Sequence, residues 1–220
     1  MSKTFQDLAD MRLSYQKGGL SKSSVDEHPV IQFSKWFDEA EKADLTEPNA
    51  MVLATVSPEL QAVTRTVLLK YFDESGFVFF TNYTSEKAKH IENNPNVSLQ
   101  FLWLDLERQV RIEGKAEKIS TAESIKYFSR RPKGSQIGAW VSHQSEIISS
   151  KSLLKAQYEK LVDKFKHGDV PFPEFWGGYR VVPTKIEFWQ GGENRLHDRI
   201  IYEKTPRGTS QIWTIKRLAP

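Results

Sequence analysis

The amino-acid sequence predicts a mostly β, α+β protein whose antiparallel strands carry peripheral helices. Three observations support this. Between 50 and 119, apolar runs rich in β-branched and aromatic residues are joined by short polar turns. The stretch IEFWQGGENRLHDRI (186–200) has an aromatic strand, a Gly-Gly-Glu-Asn turn and a returning strand, the pattern of a hairpin. Helical spacing appears instead in separate blocks near 29–43, 86–94, 120–131 and 150–166.

Taken in order, Thr4 is expected to cap a helix through about Gln16, with Phe5, Leu8 and Met11 on one side and Gly18-Gly19 as its stop. Arg12 and Tyr15, three apart, are neighbours on it. Pro29 suits the first turn of a second helix to about Ala43, with Ile31, Phe33, Trp36, Phe37 and Ala40 as apolar contacts. MVLATVS, AVTRTVLLKYF and GFVFFTN then read as an antiparallel meander. Arg65 and Lys70 bracket its middle strand with opposite parity, so they share a face only if a bulge or strand end intervenes. Each also reads as an exposed strand charge.

After Thr81-Asn82 the chain turns into a helix, EKAKHIENN, stopped by Pro95. A strand running into a helix N-terminus presents free N–H groups and a positive dipole end, a seat for phosphate that Lys87 would strengthen. A Ser-capped helix with no ligand is the plainer reading. Strands NVSLQFLWL and ERQVRIEGKAEKI follow, with Gln109 near the start of the second. Ser120 to Glu123 is a capping box opening a helix that Pro132 ends. On it Tyr127 and Arg131 face the same way, and with Ser135 just beyond they can converge on one phosphate or form an exposed Arg–Tyr stack. QIGAWVSHQSEIISS reads as loop, and Ser149 or Ser150 starts a helix to about Lys166 with a stripe of Leu154, Tyr158, Leu161 and Phe165. Trp176-Gly177-Gly178 leads irregularly into YRVVPTKIEFWQ, the hairpin and a last strand QIWTIKRL. On the returning strand, alternation puts Arg195, His197 and Arg199 on one face beside Trp189, a cationic comb suited to an anionic or aromatic ligand. Asp198 balancing an arginine on a solvated face is the bland alternative.

Composition narrows the classes. Hydrophobic residues at 39% and charged residues at 27% over 220 positions fit one domain with a sizeable core. That domain divides into a helical N-terminal arm (1–45), barrel strands and helices (46–183) and a C-terminal hairpin with the last strand (184–220). The net charge of +3 permits small anionic ligands and does not argue for nucleic acid. With no cysteine, disulfides, thiolate catalysis and iron–sulfur sites are excluded. No apolar run suggests a signal peptide or membrane span, so a cytoplasmic protein is expected. There is no GxGxxG after a strand, no P-loop and no GxSxG elbow. The five histidines lack metal-ligand spacing, so no metal is expected and chemistry depends on an organic cofactor.

The chain resembles the pyridoxine/pyridoxamine 5′-phosphate oxidases, FMN enzymes of vitamin B6 metabolism. The likeness rests on EFWQ followed four residues later by RLHDR, with RTVLLK (65–70), FFTN with SEKA, NPNVSLQFLWLDLERQV, KYFSRRPKGSQIGAW, FWGGYRV and the final RLAP. It implies an FMN-binding split β-barrel and a homodimer with flavin sites at the subunit interface. The implied reaction oxidises pyridoxamine or pyridoxine 5′-phosphate to pyridoxal 5′-phosphate, with dioxygen reduced to hydrogen peroxide. Carried over by position, the FMN site is Arg65, Val67, Leu68, Lys70, Phe80, Thr81, Lys87, Gln109, Gln144, Ser145, Trp189 and Arg199. The substrate phosphate falls to Lys70, Tyr127, Arg131 and Ser135. Arg195 and His197 lie against the pyridine ring as the catalytic pair, under a cover of Arg12 and Tyr15. Glu86 stands where the family usually has Arg, and Phe80 where Tyr is frequent. Another flavin reductase of the same barrel, or a non-catalytic carrier, would keep the pockets; a carrier has no use for Arg195 and His197.

Overall fold

The computed structural model describes residues 14–141, 144–207 and 210–220. Helices are α1 (Pro29–Lys42), α2 (Glu86–Asn93), α3 (Thr121–Phe128), α4 (Lys133–Val141) and α5 (Lys151–Lys164). Strands are β1 (Ala50–Val56), β2 (Ala62–Leu68), β3 (Tyr71–Asp73), β4 (Gly76–Asn82), β5 (Asn96–Trp103), β6 (Arg108–Lys118), β7 (Trp176–Gln190), β8 (Asp198–Arg207) and β9 (Ser210–Leu218). They form one sheet in the order β2-β1-β5-β6-β7-β4-β3, with β8 joining β7 to β9. The pairs β1–β2, β1–β5, β3–β4, β4–β7 and β8–β9 are antiparallel. The mostly β, antiparallel class with peripheral helices is as expected.

The chain divides into two compact units. The first comprises Met1–Pro48, Leu102–Arg111 and Ile186–Pro220, the second Asn49–Phe101 and Ile112–Lys185. In the first, α1 starts at Pro29, whose missing N–H would have no partner in the opening turn anyway. It buries Phe33, Trp36 and Ala40, with the Trp36 ring edge-on to Phe188 at 5.2 Å. Ile31, expected among these contacts, is exposed: the buried face passes through Val30 and Phe33. The expected N-terminal helix lies largely outside the described residues, but Ser14–Gln16 are not helical. The amides of Gln16 and Lys17 donate instead to the Glu107 carboxylate, a tertiary capture that a helix could not make.

In the second unit the expected three-strand meander is broken. The run 62–72 is two strands, and β2 and β3 stand at opposite ends of the sheet path. The switch occurs at two residues: Leu69 N–H donates to Asn49 C=O at 2.8 Å and Lys70 N–H to Val78 C=O at 2.8 Å, so pairing passes from the β1 side to β4. The capping box at Ser120 and Glu123 is present, but α3 stops at Phe128, a turn before Pro132. Proline disfavours helical backbone in the residue before it, and Arg130 and Arg131 close 3-10-type bonds to Tyr127 and Phe128. Pro132 then leads into α4, whose residues 136–141 fall in the stretch QIGAWVSHQSEIISS expected to be loop. Its Ile137 and Val141, one turn apart, are buried with Phe128, Val170 and Trp176, against which the α5 stripe of Leu154, Tyr158, Leu161 and Phe165 packs. Trp176-Gly177-Gly178, expected to be irregular, opens β7. A Cβ on Gly177 would fall 2.3 Å from Tyr83 Oη, and one on Gly178 2.5 Å from Ile119 Cδ1, so close packing rather than chain reversal explains the glycines.

Candidate active site

The strand switch settles the parity of Arg65 and Lys70. Because β2 ends at Leu68, both line one cavity of about 490 Å³ with Val67, Leu68, Phe80, Thr81, Glu86, Lys87, Gln144 and Ser145. Its floor is the junction of β4 and α2. Lys87 reaches in from the first turn of α2, and its ammonium donates to Gln144 Oε1 at 2.8 Å and Thr81 Oγ1 at 3.3 Å. Burial, and then repulsion from Arg65, pulls the Lys87 pKa down to about 8, with Glu86 opposing. The Arg65 guanidinium is lowered by burial and raised by Glu86. Ser85 occupies the N-cap position of α2 but makes no side-chain cap bond. Its buried Oγ and the Arg65 Nη2 have no hydrogen-bond partner among the described residues. A buried donor without a partner costs about 1–3 kcal/mol, which an arriving phosphate oxygen would remove. A helix N-terminus, an ammonium and an orphaned guanidinium nitrogen fit a phosphate dianion.

A second cavity of about 350 Å³ shares Lys70, Phe80, Thr81 and Gln144 with the first and adds Tyr127, Arg131, Ser135 and Trp176. Arg131 lies past the end of α3 rather than on it, and Ser135 lies on α4. The Arg131 guanidinium sits over the Trp176 ring at 4.7 Å, and Phe80 stacks on Tyr127 at 4.0 Å between centroids. Such a cation–π contact is worth about 0.5–2 kcal/mol and fixes the direction of the guanidinium. Burial lowers Arg131, opposed by Tyr127, and its Nη1 is a second buried donor without a partner among the described residues. Trp176 was not among the expected site residues; a Trp followed by two packing glycines was the available signal.

The remaining candidates belong to the first unit. Arg195 and His197 are not on a strand: β8 begins at Asp198, and Glu193–Arg195 forms a 3-10 turn. Asn194 and Arg195 have φ of 53° and 64°, a left-handed pair that breaks the alternation on which the three-residue comb depended. His197 turns back instead. Its Nδ1 accepts the Gly192 N–H at 3.2 Å, which leaves the ring hydrogen of the neutral form on Nε2. Its ring lies 4.6 Å from Trp189 and 5.8 Å from Tyr15. Arg195 is exposed. Arg199 is committed elsewhere: its Nε donates to Glu187 at 2.7 Å and its Nη1 to Ala219 C=O. Glu187, 3% exposed, also takes Arg111 at 2.7 Å. Asp198 does balance an arginine. Burial raises its pKa, but the Leu20 amide and Arg217 more than offset this and hold it below the usual carboxylate range. Gln109 lies near the start of β6, and Arg12 is outside the described residues. Among the described residues no cluster of His, Asp or Glu could hold a metal, and no helix is long and apolar enough to cross a membrane.

Two family models match, one described as pyridoxamine 5′-phosphate oxidase over residues 37–164 and one as the pyridoxine 5′-phosphate oxidase C-terminal dimerisation region over 176–220. A pyridoxine/pyridoxamine 5′-phosphate oxidase 2 of Hydrogenovibrio crunogenus is 60% identical, covering 97% of this chain and 99% of its own. The solved structure of PhzG from Burkholderia lata 383, in complex with tetrahydrophenazine-1-carboxylic acid, superposes with a TM-score of 0.83 at 27% identity, over 90% of this chain and 95% of that one. A pyridoxamine 5′-phosphate oxidase-related, FMN-binding protein of Nostoc punctiforme shares the fold, with a TM-score of 0.68 at 16% identity over 86% and 97% of the two chains. The fold is thus the split β-barrel shared with these structures, and this chain belongs to the pyridoxine/pyridoxamine 5′-phosphate oxidase family.

Proposed function

We propose that this protein is an FMN-dependent oxidase that converts pyridoxamine 5′-phosphate and pyridoxine 5′-phosphate to pyridoxal 5′-phosphate in the cytoplasm. Dioxygen is the electron acceptor and hydrogen peroxide a product, with water consumed and ammonia released in the amine case. The observation that carries this reading is a pair of adjoining cavities with Lys70 in both walls, each holding a buried guanidinium nitrogen without a partner among the described residues. Two phosphates are what this chemistry requires, one on the cofactor and one on the substrate.

In the larger cavity Arg65 and Lys87, at the positive end of the α2 dipole, hold the FMN phosphate, with Val67, Leu68, Phe80, Thr81, Gln144 and Ser145 around it. In the smaller, Lys70, Tyr127, Arg131 and Ser135 hold the substrate phosphate. That grip on a non-reacting group orients the C4′ carbon. FMN, when bound, supplies the two-electron acceptor for the C4′ hydrogen and passes the electrons to dioxygen. Gln109, Trp189 and Arg199 flank the flavin, and the bond to Glu187 keeps Arg199 from swinging away. Arg195 and His197 lie against the pyridine ring, with His197 presenting Nε2–H as a donor, and Tyr15 covers it. The flavin sites lie at the interface of a homodimer, a reading supported by the dimerisation-region match over 176–220. A carrier without turnover would need no group at C4′.

The test is purified protein with FMN and pyridoxamine 5′-phosphate, following oxygen uptake and aldehyde formation together. Equal rates of both are expected. A colourless protein that takes up no FMN at saturation, or one that binds FMN without consuming oxygen, overturns the reading.

A further inference from the structure

Arg65 is held from behind by a buried chain that reaches back into α2. It stands opposite Leu53 in the β1–β2 register, and Thr55 stands opposite Val63. Its Nη1 donates to Thr55 Oγ1 at 2.5 Å, to Val63 C=O at 3.0 Å and, more weakly, to Leu53 C=O at 3.4 Å. All three acceptors lie on the Nη1 side, and Nη2 is the nitrogen with no partner among the described residues. Thr55, 2% exposed, is next to a second buried group: His90 Nδ1 lies 3.0 Å from the same hydroxyl oxygen.

Hydrogen accounting orders this chain. A guanidinium has no acceptor, so Thr55 Oγ1 accepts from Arg65 and must send its single hydrogen elsewhere. Val63 C=O is 3.5 Å away and already takes Arg65 Nη1, so His90 Nδ1 is the better acceptor. His90, 6% exposed, sits three residues after Lys87 on the buried side of α2. One short helix therefore sends an ammonium into the cavity and, through Thr55, braces the guanidinium beside it.

We infer that Thr55 and His90 are positioning residues for the phosphate-binding guanidinium of Arg65. The inference rests on the reading of the larger cavity as the FMN phosphate site. Arg65 is a long side chain whose bonding reach would otherwise be spread over several rotamers; the brace occupies Nη1 and leaves Nη2 as the nitrogen with bonds to give.

The experiment titrates the full-length, flavin-free chain with FMN and reads the quenching of flavin fluorescence, with no turnover involved. Thr55→Val keeps the shape and removes the hydroxyl, and is expected to raise the FMN dissociation constant about tenfold. Thr55→Ser keeps the hydroxyl and is expected within about twofold of wild type. His90→Leu leaves the hydroxyl hydrogen without its acceptor and is expected to cost about threefold. In an Arg65→Ala background Thr55→Val adds no further loss, because the group it positions is gone. Wild-type affinity in Thr55→Val overturns the inference. So does a Thr55→Ser variant as weak as Thr55→Val, or a Thr55→Val loss that persists without Arg65. A wild-type chain that binds no FMN sinks the cofactor reading instead, a different and recognisable failure.

Discussion

The cavities beside α2 and the hairpin turn at Gly191–His197 handle polarity in opposite ways. Around the cavities, buried donors are left open: Arg65 Nη2 and Arg131 Nη1 have no partner among the described residues. At the hairpin the polar groups are spent internally: Arg199 on Glu187 and Ala219, Asp198 on Leu20 and Arg217, and His197 Nδ1 on Gly192. The first region carries an energetic debt that an anion relieves. The second is an aromatic cluster of Trp189, His197 and Tyr15, which leaves the far edge of the imidazole and the exposed Arg195 to act. Affinity should therefore reside in the one and rate in the other.

Turnover gives the sharpest way to break this contrast. His197→Ala is expected to lower kcat/KM by about a hundredfold or more, with the FMN dissociation constant within about threefold of wild type. Arg195→Leu should follow the same pattern. If flavin affinity and rate fell together in either variant, the hairpin would be scaffold and the division of labour wrong. Next in size, Arg131→Met removes a buried charged donor while keeping length against Trp176. It is expected to raise KM for pyridoxamine 5′-phosphate by about 10- to 100-fold with kcat nearly kept. A steady KM would mean that the smaller cavity does not take the substrate phosphate.

Sequence patterns carried the elements and missed the joints. α1 was legible from Pro29 and its apolar spacing, and α3 from its capping box, because both signals are local. The break at Leu69-Lys70 was not: AVTRTVLLKYF is apolar and β-branched throughout, and a change of hydrogen-bonding partner leaves no trace in periodicity. Without it Arg65 and Lys70 appeared to face opposite ways. α4 was hidden because Gly134 and Gly138 weaken its propensity, while its reason for being helical, the burial of Ile137 and Val141, is tertiary. At the hairpin, strand alternation begins only at Asp198, three residues after Arg195. A positive φ at Asn194 is common enough, but one at Arg195 is unusual, and nothing in the string RLHDR announces it. The candidate residues of the cavities still came together, since they were carried over by position and do not depend on strand phase.

The open charges of the cavity also predict a response to pH. With its pKa pulled from 10.5 to about 8, Lys87 holds fewer protons in the folded, flavin-free chain than in the unfolded one between those values. Stability of the flavin-free protein therefore rises with pH through that window, while below about pH 8 the full cost of burying the ammonium is present. FMN affinity runs the other way, because the phosphate is already a dianion at neutral pH and needs the cation. Affinity is expected to be flat just below pH 8 and to fall above it, by at most about tenfold per unit. Lys87→Met should bind more weakly and lose the dependence, whereas His197→Ala should retain it. A profile that persisted in Lys87→Met would assign the titration to another group.

The smallest effect belongs to Glu86, a carboxylate lining the cavity that should welcome a dianion. Two facts limit its influence. Its side chain is exposed, so water and salt screen the repulsion. Its charge also favours the protonated forms of Arg65 and Lys87, returning part of what it takes away. Among the described residues its amide alone is hydrogen-bonded, donating to Ser145 Oγ at 3.3 Å, so the side chain can be exchanged without disturbing that contact. Glu86→Arg is accordingly expected to tighten FMN by about three- to tenfold at low ionic strength and by less at 0.15 M salt. Glu86→Gln should give about half that change on a logarithmic scale. An effect of the same size at both salt concentrations would mean a direct bond to the phosphate rather than a field across water. No effect in either variant would mean the carboxylate points away, and that Arg65 and Lys87 alone set the charge the phosphate meets.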